Sequence, residues 1–264
     1  MYSLAEGARA ILLEADALQK VALSQDLRRR WRNASIMKIG SADPPARPNR
    51  PDRPKLLHPR DMPRRRPTSE KGRLALIHAI AHIELNAIDL AWDLIIRFTE
   101  LALPREFYDD WVEVGADEAR HFTMLQKYLV YHGSFYGELP AHDGLWEAAE
   151  STADDILARL AVVPLVLEAR GLDTTPGAIK KLKSVGDAMA ASILETIARE
   201  EIPHVAAGVK WFNYICGRRG LDPAKTFQDL VRKRFKGIIK PPFAINARTA
   251  AGFPRAYYEP LAAS

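Results

Sequence analysis

Residues 115–122 read GADEARHF, and 83 positions later residues 198–205 read AREEIPHV. Each stretch sets a glutamate three residues before a histidine: Glu118/His121 and Glu201/His204. On a helix, residues i and i+3 share a face, so each pair presents a carboxylate oxygen and an imidazole nitrogen to one point. The chain holds only seven histidines, so two such pairs ask for a reason. Upstream glutamates supply it. Glu84 stands 34 residues before Glu118, and Glu168 stands 33 before Glu201. This is the layout of a duplicated helical hairpin, with a lone Glu on each first helix and Glu-x-x-His on each second. Two helices of about 28 residues, tightly joined, bring residues so spaced to one height. The repeat predicts Glu84 opposite Glu118/His121, Glu168 opposite Glu201/His204, and all six in one core if the hairpins pack together.

Each pair also has a plainer reading. A lone Glu-x-x-His is most often a surface pair, and a buried histidine is more often packing than ligand. Glu84 has competitors in His78 and His82, which can also face inward. Glu200 can replace Glu201, but it lies i,i+4 from His204 and breaks the match with Glu118.

The surrounding pattern is helical. Apolar residues recur at helical spacing over 3–31. RLALIHAIAHIELNAIDLAWDLIIRFTEL (73–101) has no breaker, and Ser69 can cap it. Pro104 opens a second long helix that continues to Gly133. A third is expected over 150–170, interrupted by GLDTTPG (171–177) with a short resumption at 178–184. A fourth spans 187–217, a shorter one 223–237, and the tail KPPFAINARTAAGFPRAYYEP reads as irregular. No alternating pattern supports a sheet. Residues 41–67 carry 8 of the 18 prolines and read as an extended strap held down by Leu56, Leu57 and Met62. The expected organisation is an N-terminal helix and strap (1–67), a four-helix bundle (68–217), and a C-terminal helix and tail packed on it (218–264).

Composition narrows the class. Hydrophobic content of 47% and charged content of 27% fit a globular protein. Cys216 is the single cysteine, so no internal disulfide can form and a reducing, cytoplasmic setting is expected. The acidic residues of MYSLAEGARAILLEADALQK predict no export signal, and no apolar run reads as a membrane span. Residues 28–73 hold 15 Lys/Arg against 4 Asp/Glu, while the remainder is net negative at 23 against 29. Such a basic segment can meet a polyanion, or its arginines can pair with the acidic helical body.

Four carboxylates in an apolar interior repel one another and desolvate at a cost, so cations must compensate. Two divalent metals do this best, and carboxylates with one imidazole per metal suit iron or manganese.

The stretches ALIHAIAHIELNAIDLAWD, DEARHF, YGELPAHDGLWEAA, ARLAVVPLVLEARGLD and HVAAGVKWF carry a resemblance over nearly the whole chain. It resembles the ferritin-like superfamily, most closely a bacterial family known only as a domain of unknown function with a ferritin-like fold. The resemblance implies an all-α four-helix bundle with two iron ions, manganese or mixed metals being possible. Glu84, Glu118 and His121 would serve one metal and Glu168, Glu201 and His204 the other, with Glu118 and Glu201 bridging. DEARH is also similar to a motif of di-iron monooxygenases and quinol oxidases, which gives Asp117 and Arg120 the role of orienting the ligands. The second copy departs, with Glu200 in the aspartate's place and Pro203 in the arginine's. Pro164 and Pro203 can each bend their helix or open a π-bulge that re-aims a ligand.

The expected function is O₂ activation to oxidise or hydroxylate an unknown substrate, a small molecule or a modified nucleic acid. It would need an unknown electron donor and no membrane, with a possible homodimer. His142, Asp143 and Tyr136 are candidate channel residues, packing being the plainer reading. One alternative is hydroxylation of tRNA, as in a ferritin-like relative class. Arg47, Arg50, Arg53, Arg60, Arg64, Arg65 and Arg66 would then meet phosphates, although no aromatic residue lies between 32 and 91 to stack a base. A non-catalytic metal-handling or structural protein is the other.

Overall fold

Ser69 accepts a hydrogen bond from the Gly72 amide and opens helix α3, Glu70–Arg97, in the computed structural model of the chain, which describes residues 2–63 and 68–262. Pro104, with no amide to leave unpaired, precedes α4, Arg105–Tyr131, which ends before Gly133 at φ +71°. The connection is short, so α3 and α4 form an antiparallel hairpin. Gly115 lets the two backbones close: a Cβ there would sit 2.9 Å from the Trp92 ring.

By packing, the chain forms two compact units, Met1–Trp146 and Glu147–Ser264. In the first, α1 (Leu4–Leu13) and α2 (Ala17–Arg32) pack on the α3–α4 hairpin. The expected single helix over 3–31 is therefore two. The Asp16 carboxylate accepts from the Gln19 amide at 2.8 Å, capping α2 and ending the run at Glu14. A short acidic side chain competes for backbone donors in this way.

The strap also differs from expectation in what holds it. Leu56 is 44% exposed, and Leu57 and Met62 are only half-buried. Polar contacts do the anchoring. The Arg50 guanidinium donates to Asp89 at 3.2 Å and to Asp143 at 3.1 Å, and Arg47 pairs with Asp143. The Asn49 amide donates to the Leu12 carbonyl at 2.8 Å, and Leu57 to Ala141 at 2.8 Å. Pro48 and Pro54 are the buried ones among the described residues of the segment. An extended chain cannot satisfy its own backbone groups, so it borrows partners from its neighbours. The basic segment thus pairs in part with the acidic helical body: Arg28 and Arg32 each reach Glu113 at 2.8 Å. Arg64, Arg65 and Arg66 lie outside the described residues. Lys20 on α2 is fully buried and pairs with Asp89 on α3, also fully buried, while donating to the Asn49 carbonyl at 3.0 Å.

In the second unit one helical run extends from 156 to 184. It comprises α6 (Ile156–Val162), a π-helical segment (Val163–Glu168) and α7 (Ala169–Ser184). It starts later than the expected 150, at an Asp155 cap. GLDTTPG does not interrupt it. Tertiary contact overrides local propensity there: Asp173 accepts from Arg248 at 2.7 and 2.9 Å and from the Ala244 amide at 2.8 Å, and Pro176 stays within α7. Helix α8, Ala188–Arg218, is capped by Asp187, and α9 spans Pro223–Arg234. The tail, read as irregular, forms α10 (Ile245–Ala250) and α11 (Arg255–Tyr258). Burial of Arg248 against Asp173 and of Tyr257 and Tyr258 winds these short turns. The remaining helix, α5 (Gly144–Glu150), lies at the division between the units.

Among the described residues there is no strand, only two isolated bridges, and the protein is all-α. The long apolar helix α3 matches a membrane span in length and composition alone, but 72% of its most apolar stretch is buried, as in a core helix.

The buried Lys20–Asp89 pair gives a stability test. Asp89→Ala leaves a buried ammonium without its counter-ion and is expected to lower unfolding free energy by about 3–5 kcal/mol, measured by urea denaturation.

Candidate metal centre

The α3–α4 hairpin gathers three potential ligands in the first unit. Glu84 is 4% exposed, Glu118 1% and His121 fully buried. The His121 Nδ1 lies 3.4 Å from Glu118 Oε2 and 3.6 Å from Glu84 Oε2. These donor atoms fall within 4.8 Å of one another, close enough for one ion to touch all three. Burial, and then the Glu118 charge, push the Glu84 carboxyl well above its ordinary range. Burial works against a charged His121, yet Glu118 and Glu84 outweigh it and raise the imidazole to about 11. Without a metal, protons do the neutralising.

In the second unit, Pro164 cannot donate to the Leu160 carbonyl, and the helix widens to π geometry from Val163 to Glu168. One extra residue in a turn rotates all that follows by roughly 100°, and Glu168 ends the widened segment. Pro203, exposed within α8, opens no such segment. Gly208 takes the close approach: a Cβ there would lie 2.8 Å from that of Pro164. Glu168 is four residues past Pro164 and His204 four before Gly208, so in this antiparallel pair the two stand at one level. His204 is buried, its Nδ1 3.3 Å from Glu201 Oε2, whose side chain is 12% exposed.

The competing histidines have other duties. His78 Nε2 accepts from the Gly137 amide at 2.9 Å. His82 contacts the Tyr136 hydroxyl at 2.8 Å and the His142 carbonyl at 3.0 Å. Both stack on the Tyr136 ring, at 5.4 and 6.1 Å. Burial holds His82 down at about 4, so it is neutral, accepting from Tyr136 and donating to His142. These histidines fasten the 134–143 loop. The three candidate channel residues are engaged in the same loop: Tyr136 with His82, His142 through its carbonyl, and Asp143 with Arg47 and Arg50.

Asp117 and Arg120 bond each other at 2.8 Å with both side chains a third or more exposed. Glu200 lies 3.9 Å from Arg199 and is 26% exposed. Sequence reasoning did not single out Lys20 and Asp89 as partners. Their 69-residue separation leaves no local signal, and only a buried lysine on an otherwise amphipathic helix would have hinted at a hidden counter-charge.

The family model of the DUF455 proteins, described as proteins of unknown function, matches residues 13–259. The chain belongs to the DUF455 family. A Haemophilus influenzae protein described as uncharacterized is 43% identical to it over 212 residues, which cover 77% of this chain and 72% of the relative. No solved structure matches. The DUF455 description carries no activity, so function has to follow from the side chains.

Because His82 serves the loop, His82→Asn is expected to cost about 1–3 kcal/mol of stability and to leave metal content unchanged. Chemical denaturation and elemental analysis of the variant check the two halves; metal loss in a folded variant would make His82 a ligand.

Proposed function

We propose that this DUF455 protein is a metal-dependent oxidoreductase of ferritin-like architecture. Glu84, Glu118 and His121 would hold one divalent ion, and Glu168, Glu201 and His204 a second. The observation that supports this most is the burial of Glu84 and Glu118 around His121. Two carboxylates and an imidazole form a hard, mainly oxygen donor set, fitting iron or manganese better than the thiolate- or histidine-rich sets usual for zinc. The sequence repeat supplies the second half-set.

When bound, iron would supply O₂ activation for hydroxylation, desaturation or a related oxidation. The chain's own part is to place oxygen and nitrogen donors, to exclude water, and to release protons. His121, and the carboxyl of Glu84, carry protons that loading displaces, so affinity should rise with pH. Such chemistry would need an electron donor. A small organic substrate is favoured over nucleic acid, because Arg47 and Arg50 of the basic strap are committed to Asp143 and Asp89.

Metal analysis of protein prepared anaerobically with ferrous iron tests the proposal. The expected result is about two irons per chain, with Glu118→Ala and His204→Ala each losing metal and O₂ oxidising the wild-type iron. A folded wild type that takes up none, or variants that load normally, would contradict it.

A further inference from the structure

The 147–264 unit also holds a cavity. Its floor is the π-helical segment, where Leu165, Val166 and Leu167 face it, and its cover is the chain after α9, with Phe235 and Ile239. The space is about 100 Å³. A water takes about 10–15 Å³ on this measure, so the room suits a compound of roughly eight non-hydrogen atoms.

Its polar wall is cationic. Arg170, Arg248 and Lys240 line it against the single carboxylate of Asp173, leaving two positive charges in excess. The Arg248 guanidinium is fixed: it is bonded to Asp173 at 2.7 Å and stacked 4.3 Å from the Tyr258 ring centre. Arg170 donates to the Lys240 carbonyl at 2.7 Å, tying cover to floor. Tyr258, 1% exposed, also lines the cavity, and its hydroxyl has no hydrogen-bond partner among the described residues. Leaving a buried hydroxyl without a partner is unfavourable, and an acceptor in the cavity would remove that penalty. At the mouth Ile238 is 63% exposed, an apolar side chain with no cover.

We propose that this cavity binds a short monocarboxylate, its apolar chain against Leu165, Val166 and Ile239 and its carboxylate toward Arg170, Arg248 and the Tyr258 hydroxyl. An apolar pocket with a few convergent polar groups is the usual form of a small-molecule site, and the excess positive charge selects an anion over a neutral analogue. The occupant would rest on the same π segment that carries Glu168. The site is independent of the metal proposal, since its walls contain none of the six ligands.

Calorimetric titration of the chelator-treated 264-residue chain tests this, with sodium hexanoate as the probe and hexan-1-ol as its neutral counterpart. Hexanoate is expected to bind saturably with a Kd of about 1 mM or tighter, and hexan-1-ol at least about tenfold more weakly. Ile239→Trp fills the cavity and should abolish binding. Tyr258→Phe keeps the ring and its packing and should weaken binding by about three- to tenfold. Absence of saturable hexanoate binding to wild type, equal binding of the alcohol, or undiminished binding in Ile239→Trp would each overturn the proposal. Because chelated protein is used, failure here and failure of metal loading are read separately.

Discussion

Two carboxylates share one buried imidazole, and the first unit is organised around making that tolerable. Glu84 and Glu118 are both nearly inaccessible, with His121 Nδ1 within 3.6 Å of each. Like charges so close in a poorly solvated interior cannot both stay ionised without compensation. In the absence of an ion, protons must remain on this group. A divalent cation would replace those protons with stronger and directional bonds. Long, uninterrupted helices are what hold the three donors at one height, and Gly115 against Trp92 sets how near the helices approach.

The second unit places Glu168 by a different device. Pro164 and Pro203 each remove a backbone donor, yet they act differently. Pro203 sits on an exposed face of α8, where water can meet the freed carbonyl. Pro164 is buried and pressed on Gly208, so the backbone itself must adjust, and it does so by widening into π geometry as far as Glu168. The same widened turn forms the floor of the Arg170/Arg248 cavity. Ligand placement and small-molecule recognition would therefore draw on one local distortion.

Much of this was legible from residue spacing. Helix type follows from unbroken apolar periodicity in 73–97 and 105–131, and the closeness of Glu118 to His121 and of Glu201 to His204 follows from i,i+3 geometry. What escaped was decided by tertiary contact. GLDTTPG looks like a breaker, but Asp173 is held by Arg248, 75 residues distant, and no local window contains that partner. The strap invited an apolar reading through Leu56, while Asp89 and Asp143, far along the chain, were its true anchors. His78 and His82 stood near Glu84 in sequence but one helical face away in role. The break at 14–16 was locally readable, since Asp16 is a good cap; the apolar spacing on either side of it concealed the signal.

The central proposal is that Glu84, Glu118 and His121 of the first unit hold a divalent ion. Mössbauer spectroscopy of the protein loaded anaerobically with ferrous iron, wild type against Glu118→Ala, addresses it most directly. The account predicts a protein-bound high-spin ferrous signal of oxygen and nitrogen ligation in wild type that is diminished in the variant. A folded wild type with no protein-bound iron, or a variant whose spectrum is unchanged, would contradict it.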